Sequence, residues 1–110
     1  MDKRYPITMM CAACVPWTGE WKFDEAIFRK QVKNLVQHEV KSIYIFGTAG
    51  EGYAVNTDVF ARVVEALVDE CSNCADVMPM TGIISTSMME ILDRIKIAGD
   101  LGCKDFQVAF

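Results

Sequence analysis

The apolar pattern of this chain switches repeatedly between the period of a strand and that of a helix, and this limits its fold more than any other feature. Ile7–Val15 is a continuous apolar run, the pattern of a strand buried on both faces. Pro16-Trp17-Thr18-Gly19 reads as a turn. Asp24 is placed to cap a helix whose apolar stripe is Phe28, Val32, Leu35 and Val36. A second strand follows at Ser42–Phe46. Thr57 caps a second helix with Phe60, Val63, Val64, Leu67, Val68 and Cys71 on its inner face. A third strand is expected over about Val77–Thr81, ending at Gly82. Ser87-Met88-Met89-Glu90 has capping-box form and opens a third helix, with Ile91, Leu92, Ile95 and Ala98 inward. Gly102 ends it, because glycine takes the left-handed conformation of a C-cap at little cost. Phe106–Phe110 begins a fourth strand. The order β-α-β-α-β-α-β, with crossovers long enough to hold a helix, predicts parallel β/α units of an α/β fold.

The 110 residues suit one small domain, and with 52% of them apolar the chain can bury a core. A net charge of −4 argues against nucleic acid as a partner, since phosphate binding needs a basic face. Lys22, Arg29, Lys30 and Lys33 are scattered and read as a solvated helix face. No run approaches the roughly 18 apolar residues of a membrane span. The start has basic residues before an apolar stretch, as a signal peptide does, but Pro6 and Pro16 hem the run in and it reads better as a strand. A cytoplasmic location is expected. The five cysteines, an odd count without a secretory signal, favour free thiols.

The segment most like a site is Ser42–Gly52, S-I-Y-I-F-G-T-A-G-E-G. A β-type run stops at Gly47, and a glycine-rich turn carrying Thr48 and Glu51 follows. In α/β proteins the loops after the carboxyl ends of strands are where ligands bind.

This turn resembles the G-T-T-G-E or G-S-T-G-E turn of the dihydrodipicolinate synthase/N-acetylneuraminate lyase family. Cys14-Val15-Pro16-Trp17 looks like the family's strand-one ending V-T-P-F, and Gly19 and Asp24 match its next glycine and capping aspartate. Leu101-Gly102-Cys103-Lys104-Asp105 sits where the family has leucine-glycine-alanine-x-aspartate before strand four. The resemblance spans nearly the whole chain. It implies that residues 1–110 are the N-terminal portion of a single TIM (β/α)8 barrel domain, which typically needs about 250 residues. Stopping on Val108-Ala109-Phe110 would leave a raw strand edge, so the chain is expected to be a fragment truncated in strand four, inactive and prone to self-association by itself.

The resemblance further implies class I aldolase or lyase chemistry on pyruvate or a related 2-oxo acid, held as a Schiff base on a lysine of the sixth strand. Relay tyrosines are expected on the fifth strand and just past the fourth. No cofactor and no metal are implied, and the full-length form is expected to be a homo-oligomer. Thr48 matches the hydroxyl that joins two tyrosines in a proton relay, a role for a group that donates and accepts at once. Gly47, Thr48, Ala49 and Gly50 correspond to the substrate-binding turn. Ala49 stands where the family has a second hydroxyl on the substrate carboxylate, and offers only its backbone N–H. Glu51 matches a structural position that bonds loop backbone.

From the residues alone, Thr48 is also a turn threonine able to bond its own backbone. The glycines are backbone devices. Cys11-x-x-Cys14 and Cys71-x-x-Cys74 invite a zinc or redox reading. Residues three apart in a strand point to opposite faces, however, and the two pairs fall at opposite ends of the fold. His38 reads as a surface residue near a helix C-terminus. Trp17 and Trp21 read as loop packing, and the methionines Met9, Met10, Met78, Met80, Met88 and Met89 as core filling. A non-catalytic barrel relative and a small CxxC module stand as alternatives to the lyase.

Overall fold

The computed structural model describes residues 7–109. The leader-like start Met1–Pro6 and the final residue of the expected fourth strand, Phe110, lie outside the described residues. Four strands alternate with three α-helices: β1 Met10–Ala12, α1 Glu25–Gln37, β2 Ser42–Ile45, α2 Thr57–Cys71, β3 Met78–Ile84, α3 Met88–Asp100 and β4 Asp105–Ala109. The strands form one parallel sheet in the order β1-β2-β3-β4. Met10 is level with Ser42, Ser42 with Met78, and Met80 with Asp105. With every strand parallel, the three βα loops gather at one end of the sheet.

Strand alternation sorts the side chains. Ile43, Ile45, Thr81 and Ile83 are fully buried, packed with Phe28, Val32, Phe60, Val63, Val64 and Leu67 from the helices. Tyr44 and Met80 alternate with them and are half-buried. Asp24 caps α1 by accepting from the Ile27 N–H at 3.2 Å. Arg29 is not a solvated cation. Its guanidinium bonds Glu25 at 3.0 Å on its own helix, and Asp69 at 2.6 Å and Glu70 at 2.9 Å on α2. These carboxylates hold the Arg29 pKa above its ordinary value.

The cap of α2 is Asn56, one residue before the expected Thr57. Asn56 has extended backbone and its side chain accepts from the Val59 N–H at 2.9 Å, so Thr57 becomes the first helical residue. At α3, Ser87 accepts from the Glu90 N–H. Glu90 does not reach back to Ser87 as a capping box would. Its carboxylate accepts from the Ser85 hydroxyl, and the Ser85 oxygen accepts the Ser87 N–H at 3.0 Å. The inward stripe of α3 is Ile91, Arg94 and Ala98, while Leu92 is 58% exposed. The helix ends at Gly102, φ +106°, with Gly102 N–H donating to Gly99 O and Cys103 N–H to Ala98 O, a Schellman closure.

Three further expectations need correction. β3 does not stop at Gly82 but runs on to Ile84. Gly82 is there for close approach: a Cβ on it would stand 2.6 Å from the Phe46 carbonyl oxygen. β1 is only three residues long, with Met10 and Ala12 exposed and Cys11 half-buried, and the buried part of the expected run, Ala13 and Val15, lies just beyond it. Four of the six methionines are not core filling: Met9 and Met10, before and at the start of β1, and Met88 and Met89, in the first turn of α3, are exposed, whereas Met78 and Met80 are half-buried on β3.

Candidate functional site

β2 ends at Ile45, and Phe46 turns the chain by adopting φ +66°, an uncommon conformation for a bulky residue. Burial fixes it there. The Phe46 ring is 1% exposed and stacks on Phe60 of α2 with centroids 5.1 Å apart. The turn that follows closes on itself: Gly52 N–H donates to Gly47 O at 3.1 Å and Glu51 N–H to Thr48 O at 3.2 Å. Gly50 is buried against the ends of both neighbouring strands, where a Cβ would lie 3.1 Å from Phe46 N and 3.3 Å from Ala13 O. Gly47 is half-buried, and Thr48 and Ala49 are exposed at the loop end of the sheet. Among the described residues the Thr48 hydroxyl and the N–H groups of Thr48 and Ala49 have no hydrogen-bond partner. The turn thus leaves one hydroxyl and these two N–H donors unpaired on exposed residues at the loop end of the sheet.

The loop after β1 is tied to this turn. The Gln31 side-chain amide on α1 pairs with both backbone groups of Cys14, Cys14 N–H to Oε1 at 2.9 Å and Nε2 to Cys14 O at 2.9 Å. That clamp holds the Cys14 thiol 4.0 Å from the Ala49 carbonyl oxygen. The Trp17 indole N–H donates to the Glu51 carboxylate at 3.3 Å. Glu51 itself is left-handed at φ +59°. Beside the turn, Trp17, Trp21, Glu51, Ala54, Asn56 and Val59 line a cavity of about 320 Å³. On the sheet face below, the Tyr44 hydroxyl donates to the Gln107 side-chain oxygen of β4. Burial raises the Tyr44 pKa, keeping the phenol protonated.

The dihydrodipicolinate synthetase family model matches residues 6–105 of this chain. The chain belongs to that family. It is 32% identical over 69 residues to N-acetylneuraminate lyase of Lactiplantibacillus plantarum, covering 63% of this chain and 23% of that protein. It is 29% identical over 91 residues to 4-hydroxy-tetrahydrodipicolinate synthase of Methanothermobacter thermautotrophicus, covering 83% and 31%. The chain therefore spans about a quarter to a third of the length of these relatives. Dihydrodipicolinate synthase from Aquifex aeolicus superposes with a TM-score of 0.83 at 18% identity, over 92% of this chain and 33% of that one. A prophage protein of the family from E. coli K12, solved in complex with pyruvate, gives 0.82 at 15% identity, over 90% and 33%. The fold is that of the N-terminal part of the family's TIM barrel.

The structure brings Gly47, Thr48, Ala49 and Gly50 into one turn at the carboxyl end of β2. Thr48 does not bond its own turn through its side chain, and Glu51 joins the Trp17 indole rather than loop backbone. Cys14 lies past β1 in the loop rather than within the strand, and Cys71 and Cys74 lie at the far end of α2. All five cysteines are free thiols. Burial pushes the Cys71 thiol up to about 11. Among the described residues no group of three or more His, Cys, Asp or Glu converges to hold a metal ion. His38 is exposed, with Nδ1 2.8 Å from Asn34 O. Sequence reasoning missed Gln31, Tyr44 and Gln107. Gln31 had a signal, being a polar residue on the inward stripe between Phe28 and Val32. Tyr44 had another, being a phenol between two isoleucines in the strand that leads into the turn.

Proposed function

We propose that residues 1–110 form the N-terminal portion of a single barrel domain of a Schiff-base-forming lyase or aldolase acting on pyruvate or a related 2-oxo acid. The observation that carries this is the set of unpaired donors on the exposed turn residues Thr48 and Ala49, one hydroxyl and two N–H groups, where the βα loops gather. Gly47, Thr48, Ala49 and Gly50 hold the substrate carboxylate, chiefly through the Thr48 and Ala49 N–H groups, which stay in place whatever the side chain at 49. The Thr48 hydroxyl passes a proton between groups contributed from outside this chain, donating one hydrogen while accepting another. The Schiff-base lysine is assigned to a later strand; none of the described lysines lies on a strand. Relatives named as a lyase and a synthase, and a family member solved with pyruvate, support the substrate class. Homo-oligomeric assembly and a cytoplasmic location complete the proposal.

The test is borohydride reduction of the barrel-length protein with pyruvate, read by mass spectrometry. A single reduced adduct on one lysine is expected. No adduct with pyruvate or any of several longer 2-oxo acids would overturn the proposal. It would favour the second reading, a non-catalytic barrel, for which the methyl of Ala49 in place of a second hydroxyl is the specific motive.

A further inference from the structure

Arg94 is the only buried arginine among the described residues, with 4% of its surface exposed, and it occupies the inward stripe of α3 where an apolar side chain would pack without desolvating a charge. Its Nη2 donates to the Val55 carbonyl at 3.0 Å and pairs with Glu90 Oε1 at 3.0 Å. Its guanidinium lies over the Phe60 ring, 5.0 Å from the centroid. Its buried Nε has no partner among the described residues, so the burial is not fully offset. The second oxygen of Glu90 accepts from the Ser85 hydroxyl, whose oxygen accepts the Ser87 N–H.

One chain of contacts therefore crosses the loop end of the sheet, from Val55 through Arg94, Glu90 and Ser85 to Ser87. Val55 closes the segment that begins with the Gly47–Glu51 turn. Ser85 and Ser87 form the loop between β3 and α3. Phe60, under the guanidinium, is the same ring that holds Phe46 in its left-handed conformation at the start of the turn. Both ends of the turn segment are thus fixed by groups that Arg94 touches. We infer that Arg94 is a positioning residue that anchors the Thr48 turn to the loop after β3 through Val55 and Glu90; its bearing on catalysis rests on the reading of that turn as a substrate site.

The test compares Arg94→Met, Arg94→Lys and Glu90→Gln in two measurements. Hydrogen exchange of the barrel-length protein reads the anchor itself. Arg94→Met is expected to speed exchange of the hydrogen-bonded Glu51, Gly52 and Ala54 amides at least ~10-fold while leaving β1, β2 and α1 near wild type. Arg94→Lys, which restores a cation between Val55 O and Glu90, is expected to recover much of the protection, and Glu90→Gln to lose part of it. Faster exchange spread evenly over α2 and α3, or none at Glu51, Gly52 and Ala54, would overturn the inference. The second measurement is solvent-deuterium exchange into the pyruvate methyl by the barrel-length protein, through reversible Schiff-base and enamine formation, where Arg94→Met is expected to lower kcat/KM by up to ~100-fold, as a misplaced binding turn does. Local exchange effects with no pyruvate adduct in the wild type would sink the substrate reading and leave the anchor standing. A trapped adduct with an unmoved turn would do the reverse.

Discussion

The carbonyl of Phe46 is wedged between two glycines, and this makes Gly52→Ala the most informative single substitution. An ideal Cβ at Gly52 would sit 2.1 Å from the Phe46 oxygen, whereas real Cβ contacts stay above 3.0 Å, so the backbone must open by roughly 0.9 Å. Phe46 cannot yield easily, because its ring is buried and stacked on Phe60. Gly52 cannot yield without stretching its hydrogen bond to Gly47 O. Overpacking against a fixed neighbour costs about 1–3 kcal/mol, and a weakened hydrogen bond adds about 1 kcal/mol. The expected loss is roughly 3 kcal/mol, a large share of a small domain's stability. Urea unfolding of the barrel-length protein with linear extrapolation measures it, and Gly99→Ala is the control. A Cβ at Gly99, inside α3, meets nothing within 4 Å, so that variant is expected to gain up to about 1 kcal/mol from helix propensity. Gly82→Ala meets the same carbonyl at 2.6 Å, so the double variant should cost less than the two single losses combined. A Gly52→Ala protein within about 0.5 kcal/mol of wild type at unchanged m would refute the account of this turn.

Asn56→Ala is expected to lose about 1 kcal/mol in the same assay and Thr57→Ala only a few tenths, because Asn56 is the cap. Arg29→Met should cost roughly 2 kcal/mol, below the range for a fully buried pair because Arg29 keeps a quarter of its side chain exposed, and it should leave Glu70 without its closest cation. The Cys71 thiol, raised from 9.0 to about 11 by burial, keeps its proton in the folded state after the unfolded chain has lost it. Stability is therefore intact below pH 9 and falls as pH rises toward 11, by roughly 3 kcal/mol from this group, and Cys71→Val should flatten that fall. Thr48→Val in the barrel-length protein should cut turnover at least ~100-fold while pyruvate binding changes little, since the N–H groups remain.

Much of this fold was legible because its signals are local. Asp24, Ser87 and Gly102 sit where cap geometry demands them, and the helical stripes follow from a 3.6-residue period. The errors arose where tertiary context decides. Ile7–Val15 is as apolar as a central strand, yet only Met10–Ala12 pair with β2, and where that pairing stops cannot be read from the run's own residues. Gly82 looks like a stop, but it is a place where β3 must pass close to the Phe46 carbonyl. Leu92 and Arg94 exchanged roles because an arginine with three partners can occupy an inward position that periodicity reserves for an apolar residue. At the site, the turn and its donors followed from a motif, whereas the Gln31 clamp on Cys14 joins residues 17 apart and only the packing of α1 on the sheet reveals it.

The claim that matters most is that the Thr48–Ala49 turn receives the carboxylate of a 2-oxo acid. A crystal structure of the barrel-length protein after pyruvate and borohydride treatment tests it most directly. The account predicts a reduced adduct on a strand lysine, with its carboxylate about 3 Å from the N–H groups of Thr48 and Ala49. A carboxylate held elsewhere, with the turn empty, would contradict it.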